Sequence, residues 1–136
     1  MLHWLMVIAV ALSPHSHVTP TVRAISRVTH DRREAAALLT ISLYENGIGR
    51  AGVPFGVCSH LCNLHCTRCR TEPLAASARV ALRVWRRSLR VCGPSLVNRF
   101  AFYHHGTDCT VDRYAGREAA TMTTILVRQR QRRRSR

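Results

Sequence analysis

Residues 71–94, TEPLAASARVALRVWRRSLRVCGP, contain the clearest structural pattern in the sequence. Thr71 is of a type that caps helices, and Pro73 suits a first helical turn. Gly93 followed by proline is a typical helix stop. The spacing of apolar residues between these signals matches the helical period, so we predict a helix over Leu74–Cys92.

One face of this predicted helix consists of arginine. At 100° per residue, five arginines fall within an arc of about 100°, with the apolar residues outside it. They are Arg79, Arg83, Arg86, Arg87 and Arg90. Neighbouring like charges repel on a helix, so this face favours a bound anion. The anion could be a phosphate of RNA or DNA, an acidic protein surface or an anionic lipid headgroup. In the case of lipid, the side of the helix with Trp85 and Leu89 could lie in the membrane interface. A solvated outer face is the simplest alternative.

A second group of arginines forms the end of the sequence, RQRQRRRSR. Its members are Arg128, Arg130, Arg132, Arg133, Arg134 and Arg136. The segment offers nothing apolar to a core, so we predict a disordered basic tail over residues 128–136. Such runs bind nucleic acid or direct import into the nucleus, which favours a nuclear or cytoplasmic location.

The composition limits the classes of protein available to this chain. Its 136 residues suffice for one small domain, which excludes most multidomain enzymes. The 21 basic residues are all arginine and face 7 acidic ones, a net charge of +14 that indicates a polyanionic partner. Aromatic residues make up only 6%, so a thin core would need help from a metal, disulfides or a partner. A GC-rich coding sequence also yields arginine without lysine, which leaves a reading frame without evolved function as an alternative.

Residues 58–69, CSHLCNLHCTRC, hold four of the six cysteines. Zinc takes four thiolate or imidazole ligands, and the last two cysteines have the spacing at which a tight turn offers two thiolates to one ion. The candidate zinc ligands are Cys58, His60, Cys62, His65, Cys66 and Cys69. The compactness of this group leaves open a second ligand pair drawn from His104, His105, Asp108, Cys109 and Cys92.

The inner part of the cysteine segment, Cys62-Asn-Leu-His-Cys66-Thr-Arg-Cys69, resembles the C-x3-C-x2-C signature of radical S-adenosylmethionine enzymes. The resemblance covers eight residues. It implies a [4Fe–4S] cluster held by Cys62, Cys66 and Cys69, with the fourth iron binding the cofactor. No other arrangement of residues indicates a catalytic site, so the sequence leans against an enzyme.

The amino-terminal residues 1–13, MLHWLMVIAVALS, form an apolar run that is too short to span a bilayer. The run resembles the apolar part of a signal peptide, and a buried strand or helix is the alternative. In a secreted or membrane-associated protein the six cysteines would form disulfides, whereas in the cytosol their clustering favours metal.

The remaining segments give weaker patterns. Asp31, followed by Glu34, begins a predicted helix over Arg32–Glu45 that is apolar on nearly all sides and therefore buried. Residues 14–20 are typical of a loop. Residues 21–28, 96–103 and 121–127 have the composition of strands, and residues 104–109 that of an exposed turn.

Together these patterns predict a small α+β or mostly α protein with a metal-stabilised cysteine loop before an arginine-faced helix. We divide the chain into an apolar segment and loop (1–20), a helical core segment with a glycine-rich loop (21–57), a cysteine-rich basic domain (58–127) and the tail (128–136). The leading functional hypothesis is a zinc-stabilised nucleic-acid-binding protein, for RNA more than DNA. Alternatives are a secreted or membrane-associated disulfide-rich protein and an iron–sulfur protein related to the radical enzymes.

Overall fold

The computed structural model describes residues 3–13, 18–45, 54–60 and 67–135, and within these ranges the protein is a bundle of seven α-helices without a strand. The helices are α1 (His3–Leu12), α2 (Val18–Val28), α3 (Arg32–Glu45), α4 (Thr67–Thr71), α5 (Leu74–Cys92), α6 (Leu96–His105) and α7 (Arg113–Arg134). The mostly α prediction is therefore confirmed for the described residues, and the α+β alternative is not.

Two predicted helices have the bounds expected from the sequence. α3 begins after Asp31, whose side chain accepts a hydrogen bond from the backbone N–H of Glu34 at 2.8 Å. α5 ends at Gly93, which has a φ of +73° and donates its N–H to the carbonyl of Leu89. Thr71 does not cap α5, because it lies in α4 and its hydroxyl bonds to the carbonyl of Thr67.

The three strand predictions are wrong, because helical caps and periodicity outweigh the β-prone composition of those segments. Residues 21–28 lie in α2, where Val18, Thr21, Val22 and Ile25 are buried at the spacing of one helical face. Residues 96–103 lie in α6, capped by Ser95, and residues 121–127 lie in the middle of α7.

The predicted disordered tail is also wrong for the residues that the structure describes. α7 continues to Arg134 as one ordered helix of 22 residues, and it begins at Asp112, whose carboxylate accepts the N–H of Ala115 at 2.7 Å. Gln129, near the far end of α7, is buried. With its amide oriented so that the oxygen faces Arg32, this oxygen accepts hydrogen bonds from Nε at 3.0 Å and Nη1 at 3.1 Å. This anchor extends the packed part of α7 into the basic segment. Arg136 lies outside the described residues.

The core is shared by helices from both ends of the chain. α3 is buried over its whole middle, as its apolar sequence predicts, and α6 packs between α5 and α7. Trp85 of α5 lies against Phe100 of α6 with ring centroids 4.8 Å apart. Much of the remaining core is alanine, which lets helices approach closely and lets few aromatic residues suffice. The predicted division of the chain at residues 20 and 57 stays a prediction.

The amino-terminal apolar segment forms a helix, one of the two structures expected for a buried segment. α1 packs against α2, α3 and α7 and buries Leu5, Ile8 and Ala9. Of the predicted loop 14–20, residues 14–17 lie outside the described residues and residues 18–20 begin α2 instead. Among the described residues, no helix combines the length and the apolar character needed to cross a membrane.

Candidate functional site

The arginine face of α5 exists as predicted. Arg79, Arg83, Arg86, Arg87 and Arg90 are all exposed, while Ala78, Ala81, Leu82 and Trp85 on the other side are buried. Trp85 is only 1% exposed and so is unavailable to a membrane or a nucleic-acid base. Leu89 and Val91 are 47% and 51% exposed, and on a helical projection they flank the arginine arc on either side.

Within the part of the chain that the structure describes, ion pairs neutralise almost none of this positive charge. Arg86 donates to both carboxylate oxygens of Glu34, from Nε at 2.7 Å and from Nη2 at 3.0 Å. Among the described residues this is the one arginine in an ion pair with a carboxylate. All described arginines except the partly buried Arg99 are exposed. The protein therefore presents a large, uncompensated positive surface.

The acidic residues are occupied elsewhere. Asp31 and Asp112 cap α3 and α7, and Asp108 accepts the N–H of Thr110. Glu72 accepts hydrogen bonds from Ser59 and from Ser77. Because these carboxylates stabilise turns and helix ends, they leave the arginines available to external anions.

The described arginines at the end of α7 are also exposed. Val127, which is 45% exposed, precedes them. The predicted anion-binding residues within the described part are Arg128, Arg130, Arg132, Arg133 and Arg134, and each of them is exposed. The helix fixes their spacing, which a disordered tail would not.

The described cysteines are joined in two disulfides. Cys58 is bonded to Cys69, and Cys92 at the end of α5 is bonded to Cys109 in the segment before α7. A sulfur in a disulfide is not a thiolate, so Cys58 and Cys69 do not fit a zinc or iron–sulfur site in this state. Among the described residues, no group of three or more potential ligands could hold a metal.

The other predicted metal ligands are not brought together by the described structure. Cys62, His65 and Cys66 lie outside the described residues, and exposed His60 has its Nε2 3.8 Å from Glu72. Zinc and the [4Fe–4S] cluster both remain predictions, and any site that uses Cys58 or Cys69 requires the bond between them to be reduced.

A buried acidic cluster lies at the end of α6. His104 hydrogen-bonds through Nε2 to the fully buried Glu118, and its Nδ1 is 3.7 Å from Glu45. The hydrogen bond to Glu118 raises the pKa of His104, and burial raises the pKa of both carboxyls. His104 is thus a partly buried residue of α6 rather than part of an exposed turn, whereas His105 is exposed and its Nε2 lies 2.9 Å from Asp112.

The turn before the cysteine segment closes over this cluster. Tyr103 donates its hydroxyl to the carbonyl of Phe55 at 2.6 Å, and the next residue, Gly56, has a φ of +67°. A Cβ at Gly56 would lie 2.7 Å from Cδ of Glu45. Glycine is therefore favoured here by its backbone conformation, and any Cβ would in addition displace the carboxylate at the end of the flexible Glu45 side chain.

A cleft of about 550 Å³ opens between α3, α5, α6 and α7. Its floor is apolar and includes Trp85, Leu89 and Met122, and four arginines and two carboxylates lie around it. The charged lining residues are Arg33, Arg86, Arg90, Arg99, Asp31 and Glu34. The cleft is thus both apolar and positively charged, which is the combination that an anionic amphiphile requires.

Arg99 is the most constrained cation of this cleft. Its guanidinium carbon lies 3.8 Å from the centre of the Trp85 ring, Nε donates to Ser88 at 3.0 Å, and Nη2 donates to the carbonyl of Trp85 at 3.0 Å. Burial lowers the pKa of Arg99 and the nearby charge of Arg33 lowers it further, whereas the charge of Glu34 raises it. An anion in the cleft would offset the repulsion from Arg33.

Sequence patterns missed Arg99 and the His104 cluster for one reason. Both depend on α6, which alternation of apolar residues had suggested to be a strand. Two cap residues identify the helix. Ser95 accepts the N–H of Asn98 at the start, and Gly106 ends the helix. No pattern within the sequence pairs His104 with Glu118 and Glu45.

No protein-family model, curated protein or solved structure matches this chain. Its function is therefore argued from its own residues.

Proposed function

We propose that this chain is a disulfide-stabilised helical protein of an oxidising compartment, secreted or membrane-associated, and that it binds anionic membrane surfaces through the arginine face of α5. The observation that carries the proposal is the single arginine–carboxylate pair among the described residues. A surface of unpaired arginines attracts anionic headgroups, with about 1 kcal/mol for each arginine near the surface.

The two disulfides among the described residues support the proposal of an oxidising compartment. Cys58–Cys69 and Cys92–Cys109 pair every described cysteine, and such bonds persist in oxidising environments and are rare in the cytosol. Two bonds also stabilise a small domain whose core is rich in alanine.

The apolar residues beside the arginines favour a membrane over other anionic partners. Leu89 and Val91 are about half exposed on either side of the arginine arc of α5. A basic helix face with exposed apolar residues can place the latter among lipid headgroups while its arginines contact phosphates. A nucleic acid offers these aliphatic side chains no comparable environment.

Vesicle binding tests the proposal. The oxidised protein should bind vesicles that contain phosphatidylglycerol and not those of phosphatidylcholine alone, with an affinity that falls as salt increases. The double variant Arg83→Gln/Arg87→Gln should weaken binding by about 2 kcal/mol, roughly thirtyfold. The matched control, Arg113→Gln/Arg117→Gln, removes the same charge from the exposed start of α7 and should change binding much less.

Equal losses in the two double variants would show that net charge, rather than the α5 face, causes binding. Peptide mapping without reductant should recover Cys58 linked to Cys69 and Cys92 linked to Cys109. Free thiols at these four positions in the native protein would contradict the oxidising compartment.

Nucleic-acid binding is the second candidate, and the ordered end of α7 favours it. Five exposed arginines between residues 128 and 134 lie on one helix with no acidic residue among them. Arginines in this arrangement bind phosphates with little dependence on base sequence.

Salt titration of nucleic-acid binding, compared between variants of the two ends of α7, tests this candidate. If about five arginines contact phosphates, the logarithm of the affinity for duplex RNA or DNA falls with the logarithm of salt concentration with a slope of roughly −4. Arg132→Gln/Arg133→Gln should reduce the magnitude of this slope by about 2, and Arg113→Gln/Arg117→Gln should leave it unchanged. A slope that is the same in both variants would rule out the end of α7 as the nucleic-acid contact.

A further inference from the structure

We propose that the cleft between α3, α5, α6 and α7 is a binding site for a single-chain anionic amphiphile, a molecule with one carboxylate or phosphate head and an apolar chain. This site shares Arg86 and Arg90 with the arginine face of α5, but its apolar floor lies between the helices, and the proposal does not depend on the membrane binding proposed above. Its volume of about 550 Å³ is within the range of small-molecule sites in proteins.

The floor of the cleft suits an apolar chain. Trp85 and Met122 form its base from α5 and α7, and Leu96 and Leu126 lie along it. Leu89 lines the cleft and is 47% exposed, so a bound chain would cover apolar surface that water now contacts.

The rim of the cleft suits one anionic head. The two carboxylates of the rim are engaged, since Glu34 pairs with Arg86 and Asp31 caps α3. Arg33 and Arg90 have no carboxylate partner among the described residues, and Arg99 uses two of its five N–H donors in protein hydrogen bonds. The rim thus keeps an excess of positive charge and unused donors directly above an apolar floor.

Arg99 distinguishes this site from an ordinary basic patch. Its guanidinium is held over the Trp85 ring by two hydrogen bonds, so its orientation is fixed before a ligand arrives. A carboxylate or phosphate that meets a fixed, partly buried guanidinium gains more than one that meets a solvated arginine.

Tryptophan fluorescence provides the test. The chain has two tryptophans, and Trp4→Phe leaves Trp85 as the sole reporter in the cleft floor. Trp4 has a buried Nε1 without a hydrogen-bond partner in the described structure, so its replacement by phenylalanine removes no bond. In this background, monomeric decanoate should change Trp85 emission saturably and raise the melting temperature, whereas acetate and decanol should each bind much more weakly.

Matched variants identify the residues. Arg33→Gln and Arg90→Gln should each weaken decanoate binding roughly tenfold. Arg87→Gln removes the same charge from α5 outside the cleft and should have little effect. Leu89→Ser should weaken binding, and Val91→Ser, which alters a similarly exposed aliphatic residue outside the cleft, should not.

Three results would overturn the proposal: no saturable change in Trp85 emission, equal weakening by Arg87→Gln and Arg90→Gln, or decanol binding as tightly as decanoate.

Vesicles of phosphatidylglycerol separate the possible sources of the ligand. Arg33→Gln should weaken binding of monomeric decanoate and leave vesicle binding nearly unchanged if the cleft takes free amphiphile. If it takes lipid from a bilayer, Arg33→Gln should reduce transfer of a labelled lysophosphatidylglycerol from vesicles to the protein. Absence of vesicle binding together with intact decanoate binding would contradict the membrane proposal alone.

Discussion

α6 has a partly buried basic side chain at each end, and the two side chains have different surroundings. Arg99 in the first turn contacts an aromatic ring, a serine hydroxyl and a backbone carbonyl, and it makes no ion pair. His104 in the last turn lies between the carboxylates of Glu118 and Glu45. The charge of Arg99 therefore stays available to the cleft, whereas His104 is paired with carboxylates of the protein itself.

This comparison shows that the high net charge of the chain is not distributed evenly. Two of the seven acidic residues, the buried Glu118 and the partly buried Glu45, lie beside a histidine and pair with no arginine in the part of the chain that the structure describes. The Arg99 end should respond to salt and to anions, and the His104 end should respond to pH.

The largest expected effect comes from removing the ring at the Arg99 end. Trp85→Ala should lower the free energy of unfolding by about 3–5 kcal/mol, because it leaves a cavity beside Phe100 and deprives Arg99 of its ring contact. Urea unfolding followed by circular dichroism measures it, with Trp4→Phe as the control. A loss below about 1 kcal/mol would mean that the Trp85 contact does not hold this end together.

The disulfide that brackets α6 should have the next largest effect. Cys92 and Cys109 lie on either side of the helix, 17 positions apart in the sequence, so Cys92→Ser/Cys109→Ser should cost about 3 kcal/mol. The same unfolding measurement with and without reductant checks this. Wild-type protein should lose stability on reduction, and the double variant should lose less because one bond is already absent.

The pH dependence of stability should distinguish the His104 end. The raised pKa of His104 gives stability that is complete below its ordinary pKa of 6.5 and is lost as pH rises through its value in the folded protein. The raised pKa values of Glu118 and Glu45 act in the same direction, since their burial becomes costly once pH exceeds about 4.5. Asp112 and Tyr103 are the other titratable groups near this histidine.

We therefore expect the melting temperature to fall between pH 6 and pH 8, and to fall less in Glu118→Gln. His30→Gln, which replaces an exposed histidine before the opposite end of α3, should retain the wild-type profile. If Glu118→Gln leaves the dependence of melting temperature on pH unchanged, the cluster of His104, Glu118 and Glu45 does not cause it.

The smallest effect should come from the exposed ion pair at the Arg99 end, and its pH dependence should have the opposite sign. Arg86 lowers the pKa of Glu34, so the contribution of the pair is present above the ordinary pKa of 4.5 and is lost as pH falls. Because Arg86 is largely exposed, Arg86→Gln should cost less than about 1 kcal/mol at neutral pH. Thermal unfolding at low and high salt measures it, with Arg87→Gln as the control, and a larger loss in Arg87→Gln would contradict the role of the pair.

The predictability of each region follows from the range of the interactions that form it. The bounds of α3 and α5 and the exposed arginines of α5 follow from caps, stops and periodicity, which are local. α6 and α7 were misjudged because aromatic and β-branched residues with strand-like alternation can still form helices when caps and tertiary packing favour them. The cleft and the His104 cluster join residues from three or four helices, so no local pattern contains them. The pairing of cysteines is likewise set by distance in the folded chain.

The space above Glu45 links the turn at residues 54–57 to the interior of the bundle. A side chain at position 56 would strain the turn, because φ is +67°, and would displace the Glu45 carboxylate that faces His104. In a library of variants, substitutions at this position should be depleted as a group, alanine included. We therefore expect few natural substitutions at position 56, whereas the exposed arginines of α5 could be replaced as long as the positive charge is preserved.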